Sequence, residues 1–178
     1  MTAIAHWKAE IRSILTELNA VFEQRFCYPP GDNMVSDSDL GEQGLTGDLA
    51  LPSVLVEFYA EVGELSMSDV HFGYFIHPLD TVTSPISGHP TRIEIEIDGH
   101  TLNDDVVTFG SDGGGGYFCV SRTNGAIYYL PPGGIDENNV YSGGLCDPRY
   151  VTSSFEAFLQ RILTVTKEFV IHGSTEGI

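Results

Sequence analysis

Phe109-Gly110-Ser111-Asp112-Gly113-Gly114-Gly115-Gly116-Tyr117-Phe118-Cys119-Val120-Ser121-Arg122-Thr123-Asn124-Gly125-Ala126-Ile127-Tyr128-Tyr129-Leu130 reads as a strand end, a glycine turn, a strand, a tight turn and a second strand. Asn124-Gly125 is the strongest short hairpin signal in the chain, because a type I′ turn needs positive φ at both central residues. A two-residue loop there predicts Arg122 opposite Ile127 and Val120 opposite Tyr129. One face then carries Phe118, Val120, Ile127 and Tyr129, and the other Tyr117, Cys119, Tyr128 and Leu130. Both faces are apolar, so the hairpin is expected inside a sheet and covered on both sides.

Outward from this hairpin, the chain alternates between helical and extended signals. Ile4, Trp7, Ile11, Ile14, Leu15, Leu18, Phe22 and Phe26 recur at helical spacing, which predicts a helix over 3–27, stopped by Tyr28-Pro29-Pro30-Gly31. Residues 31–48 show no period and hold Asp32, Asp37, Asp39, Glu42 and Asp48, so a solvated, partly mobile acidic loop is expected. As a calcium loop it fails, because Glu42 stands where glycine is needed. Leu51-Pro52 opens a helix whose apolar face is Val54, Leu55, Phe58, Tyr59 and Val62, with Gly63 as terminator.

Residues 72–79 are aromatic and β-branched, a strand signal. In Arg92-Ile93-Glu94-Ile95-Glu96-Ile97 the isoleucines alternate strictly with the charges. A half-buried strand follows, with an acidic face in water and a turn at Asp98-Gly99. Residues 135–148 look like a long irregular connection. Ser153-Ser154-Phe155-Glu156 reads as a capping box before a last helix faced by Phe155, Phe158, Leu159, Ile162, Leu163, Thr166 and Phe169. The tail 172–178 is expected to fray. No repeat and no linker divides the chain, so one domain is expected, with its core over 51–170.

Composition narrows the partner class. Lys and Arg number 8 against 25 Asp and Glu, a formal charge of −17. Phosphate and anionic lipid call for cationic side chains, so nucleic acid and membrane are disfavoured and a basic partner is favoured. The 3 cysteines, Cys27, Cys119 and Cys146, have no C-x-x-C spacing, and no leader or membrane-spanning run is visible. A cytoplasmic protein is the expectation.

Chemical motifs are mostly missing. Gly113–Gly116 precede a strand and have no nearby lysine, so a phosphate loop is disfavoured and a structural turn or bulge expected. Gly110-Ser111-Asp112-Gly113 is an incomplete nucleophile elbow, with Phe109 in the first glycine's place. The histidines at 6, 71, 77, 89, 100 and 172 lack helical zinc spacing, although His71 and His77 lie near enough in sequence to meet across a bend. No catalytic residue, cofactor or metal is expected. A hydrolase using Ser111 or Cys119 is the outlying alternative.

Four patches resemble the SUKH superfamily, which includes a fungal cell-wall assembly regulator and many bacterial immunity proteins. They are the Leu-Pro helix opening at 51–59, the strand at 72–82, the acidic glycine-rich turn and strand at 109–120, and the Ser-Phe-x-x-Phe-Leu helix at 150–159. The resemblance implies an α+β fold: a twisted, mostly antiparallel sheet with helices packed against it. It also implies work by binding and not by catalysis. The implied partner is a cognate toxin, possibly a nuclease or another enzyme that modifies nucleic acid, and a non-catalytic regulatory adaptor is the alternative. Candidate contacts, chosen for expected exposure, are Glu94, Glu96, Asp104, Asp105, Asp112, Asp136 and Glu137.

Overall fold

In the computed structural model, residues 2–40, 51–84, 89–97, 100–144 and 146–178 are described. Glu42, Asp48 and the Asp98-Gly99 turn lie outside them, as does the side chain of Ile97. Among the described residues, four helices and ten strands follow one another: α1 (Ala3–Phe26), β1 (Asn33–Asp37), α2 (Ser53–Glu61), β2 (Val62–Met67), β3 (Tyr74–Ile76), α3 (Leu79–Thr83), β4 (Arg92–Ile97), β5 (His100–Asp112), β6 (Tyr117–Ser121), β7 (Ile127–Leu130), β8 (Gly133–Ile135), β9 (Val140–Gly144), β10 (Arg149–Thr152) and α4 (Phe155–His172). The architecture is the expected α+β one. Among the described residues, every strand pairing is antiparallel except β4 with β9.

Strand β5 joins two sheets. Its second half pairs with β3 on one side and β6 on the other, in the order β1-β2-β3-β5-β6-β7-β10. Its first half pairs with β4, which continues to β9 and β8. Two apolar clusters result. The larger joins α1, α2 and α4 to one face of β6 and β7 through Phe118, Val120 and Ile127. The smaller lies on the opposite face, where Cys119, Tyr128 and Leu130 meet Ile93, Ile95 and Tyr141. These are the two faces read from the sequence, which is why an apolar residue stands at nearly every position of this hairpin.

The hairpin register differs from the expected one by two residues. Val120 faces Ile127 and Phe118 faces Tyr129. The loop therefore spans Arg122–Gly125, with Gly125 N–H donating to the Ser121 carbonyl at 3.2 Å and Gly125 at φ +75°. A shift of two leaves every side chain on its face. Local polar groups select the wider loop: Ser121 Oγ accepts from Thr123 N–H (3.0 Å) and Asn124 N–H (3.1 Å), and Asn124 Oδ1 accepts from Ala126 N–H (2.9 Å).

Further differences come from short or glycine-containing strands. Residues 33–37 of the expected acidic loop form β1 against β2, and β2 begins directly at Val62 with no glycine stop. The expected strand at 72–79 divides into β3 and the short helix α3. Within the expected irregular connection, 135–148, Ile135 ends β8 and residues 140–144 form β9. The cap of α4 is Ser154, not Ser153: its hydroxyl accepts from Ala157 N–H at 3.2 Å. Glu156 then stands one position too early to close the expected box.

The tail does not fray. Ile178 is buried, its N–H donates to the Tyr74 hydroxyl at 3.1 Å, and its main-chain oxygen accepts from Arg149 at 2.5 Å. Helix packing is similarly tied by specific polar contacts. Trp7 Nε1–H donates to the Leu159 carbonyl at 2.8 Å inside the core, and Arg25 donates to the Val170 carbonyl at the end of α4.

Candidate partner-binding surface

Strict alternation on β4 sets the surface. Opposed residues of an antiparallel pair share a face. Arg92 faces Asp105, Glu94 faces Asn103 and Glu96 faces Thr101 on the outer side. Ile93 faces Asp104 and Ile95 faces Leu102 on the inner side, where both isoleucines are buried. Glu94, Glu96 and Asp105 are therefore exposed together. Arg92 crosses this face, with Nε 3.2 Å from Glu94 and Nη1 4.0 Å from Asp105. Arg92 is no carboxylate, but its parity with Glu94 and Glu96 makes it part of this surface.

Asp136 and Glu137 lie in the exposed turn between β8 and β9. Thr91 N–H donates to the Asn139 carbonyl at 2.9 Å, which brings that turn beside the start of β4. Asp136 Oδ1 accepts from the Asn138 (2.8 Å) and Val140 (2.9 Å) N–H groups. The Val140 bond leads in holding its carboxyl below the usual aspartate value.

Two candidates are corrected. Asp104 is 6% exposed and points inward with Ile93. Its oxygens accept from Ser121 Oγ at 2.5 Å and Thr123 Oγ1 at 2.7 Å, so it holds the hairpin loop and offers nothing to a partner. Asp112 is partly buried and belongs elsewhere. Asp105 lies seven positions before it in β5, about 23 Å along an extended strand. Its carboxylate accepts from Gly114 N–H (2.9 Å), Gly116 N–H (2.7 Å) and the Tyr129 hydroxyl (2.6 Å). The glycine run is a structural turn closed on this carboxylate. Burial, followed by Asp112, drives the Tyr129 phenol well above its usual value.

The nucleophile candidates find no support in their surroundings. Cys119 is fully buried, and burial pushes its thiol up to about 12, so thiolate is scarce at neutral pH. Ser111 sits in β5 opposite Phe75 and Tyr117, with no helix following it. Among the described residues, no group of three or more His, Cys, Asp or Glu side chains is arranged to hold a metal ion. No described helix is long and apolar enough to cross a membrane.

His71 and His77 have different neighbours. His71 stacks on Tyr74 with 5.9 Å between centroids, while His77 stacks on His89 at 5.4 Å. His77 Nε2 and His89 Nδ1 are buried without a hydrogen-bond partner. Burial lowers the pKa of both, and His89 lowers that of His77 further. The unfolded chain then binds more protons than the folded one, so stability is full above about pH 6.5, the ordinary histidine value, and is lost as pH falls through it. Melting temperature followed from pH 7.5 to 5.5 is expected to drop, and His77→Gln is expected to flatten that slope. An equal slope in the variant would assign the loss to other groups.

A family model for the SMI1 / KNR4 family (SUKH-1) matches residues 42–161. The chain belongs to this family. The match covers the long β5 strand, the central hairpin and the acidic β4–β5 face. No curated protein and no solved structure matches the chain. SUKH proteins are in general non-catalytic immunity or regulatory domains that act through contacts with other proteins.

Proposed function

We propose that this SUKH protein is an immunity protein that neutralises a cognate toxin by covering the toxin's basic, nucleic-acid-gripping cleft. Family membership supports work by binding. The observation that carries the choice of partner is the outer β4–β5 face, where Glu94, Glu96 and Asp105 outnumber Arg92 in a chain of net charge −17. With Asp136 and Glu137 beside it, this face presents carboxylates on a two-stranded ribbon whose backbone is fixed by pairing. Complementary fields raise association rates and reject like-charged partners. An interface of about 1,600 Å² is the ordinary size for such a complex.

The family's regulatory members support a second reading, a non-catalytic adaptor of the cell-wall assembly regulator type. Capture with the full chain from its native host separates the two. A basic toxin among the captured proteins supports immunity, and a resident cellular complex in its place supports the adaptor. Against a captured toxin, the paired reversal Glu94→Lys with Glu96→Lys is expected to slow association at least about tenfold at low salt and to weaken its salt dependence. An unchanged association rate would remove this face from the interface.

A further inference from the structure

The first half of β5 has an open edge. From Val106 onward β5 is paired on that side by β6, but among the described residues no strand takes the same place beside His100–Asp105. On the far side of β4, β9 pairs with Arg92 and Ile93. The described part of the β4–β5 ribbon beyond those residues is therefore two strands wide. A pair of strands alone is marginal, and a third steadies it.

One printed bond fixes which groups face outward. Val106 N–H donates to the Thr91 carbonyl at 2.9 Å, and hydrogen-bonded pairs alternate with unbonded ones along an antiparallel ladder. Asp104 with Ile93 and Leu102 with Ile95 are then bonded pairs, while Thr101, Asn103 and Asp105 turn their main-chain groups away from β4. Asp105 agrees, since its carbonyl accepts from Arg122 N–H at 2.8 Å. Thr101 and Asn103, both exposed, thus hold two N–H and two C=O groups along the open edge. Edges kept single by design carry proline, lysine or a bulge. His100-Thr101-Leu102-Asn103 has none of these, and the bulge of β5 lies further on, between Thr108 and Gly110.

The faces of the ribbon specify what fits this edge. β6 runs antiparallel to β5 on this side, so an added strand in its lane is antiparallel too. Each of its residues that bonds Thr101 or Asn103 stands opposite that residue and shares its outer face, with Glu94, Glu96 and Asp105. Strands lie about 4.8 Å apart, a spacing that lysine and arginine side chains span. Residues between these share the inner face with Leu102, which packs on the smaller apolar cluster.

We propose that the β5 edge at Thr101 and Asn103 receives an extended segment of the protein partner as an added antiparallel strand, its bonding residues basic and the intervening ones apolar. This deepens the toxin-binding reading and rests on it for the partner's basic character. Main-chain bonds supply affinity in such strand addition, and alternate side chains supply choice.

The probe is a capped peptide, Lys-Val-Lys-Val-Lys, titrated into the full chain by calorimetry and amide hydrogen exchange. Saturable binding is expected, with added protection at Thr101 and Asn103. N-methylation of the lysines is expected to weaken binding at least about tenfold, and N-methylation of the valines, whose N–H groups point away from β5, to leave it within about twofold. Asn103→Pro removes an outward donor without touching the β4 ladder and is expected to weaken the peptide at least about fivefold. If that variant fails to fold, Thr101→Pro serves in its place. Equal affinity for the two methylated peptides, which marks attraction of charge alone, or no saturable binding, or full affinity in the proline variant, would each overturn the proposal. The toxin reading fails separately. If a captured toxin is slowed by reversal of Glu94 and Glu96 yet binds the proline variant at full affinity, the face stands and the added strand is refuted. If no basic protein is captured while the peptides show the expected parity, the edge stands and the toxin does not.

Discussion

Phe155→Ala is expected to remove about 3–5 kcal/mol of folding stability, the range for deleting a fully buried aromatic side chain. The residue is 2% exposed and stands at the first turn of α4 behind the Ser154 cap. Its ring lies 5.3 Å from Phe58, 5.1 Å from Phe109 and 6.2 Å from Phe158. Phe58 reaches Trp7 of α1 at 5.9 Å, and Phe158 reaches Phe118 of the central hairpin at 5.2 Å. Phe155 therefore joins α1, α2, β5 and α4, and no single neighbour can move into the space without leaving another ring. Edge-to-face contacts add about 0.5–1.5 kcal/mol each beyond area burial. At about 2–4 °C per kcal/mol for a chain of this size, the melting temperature should fall by about 10 °C. Urea unfolding is expected to show a lower midpoint at an unchanged slope. A loss below about 1 kcal/mol would mean that the site collapses around the truncation and the ring is not the joint described.

That joint was legible in the sequence, because helical periodicity over 18–24 residues survives local irregularity. Trp7, Ile11, Leu15, Leu18 and Phe22 of α1 and Phe155, Phe158, Leu159 and Ile162 of α4 are all buried as their spacing predicts. The alternation at Arg92–Ile97 was equally plain, and it gave the Glu94 and Glu96 face directly. Strands β1 and β2 were not legible. Val62, Leu65 and Met67 do not alternate, because a register irregularity between Val35 and Asp37 breaks the pairing. Strand β9 pairs in parallel with β4, a long-range choice that no local signal announces. For the candidate surface, the Asp104 error had an available remedy. Asp104 has the parity of Val106, which is buried, so extending β5 backward by two residues turns it inward.

Asp104 carries the second large expected effect, because the hairpin has two registers that bury the same faces. Moving Ile127 from opposite Val120 to opposite Arg122 keeps every side chain on its side, so hydrophobic patterning cannot choose between them. The observed register is chosen by Asp104, which takes the Ser121 and Thr123 hydroxyls, and by Ser121 Oγ, which takes the Thr123 and Asn124 N–H groups. It also keeps Phe118 against Tyr129 and so leaves the Tyr129 hydroxyl on Asp112 at the other end. Asp104→Ala removes both acceptors in a buried place, and hydrogen bonds to a charged group contribute about 1.5–3 kcal/mol each. A total loss of about 3 kcal/mol is expected in urea unfolding, with Asp104→Asn milder because its amide oxygen still accepts. Hydrogen exchange gives the more specific measurement: protection of the Gly125 and Ala126 amides should fall first, ahead of those in β5. If Asp104→Ala retained both stability and that protection, the loop would be set by Gly125 and Asn124 alone, and the buried carboxylate would have no part in choosing the register.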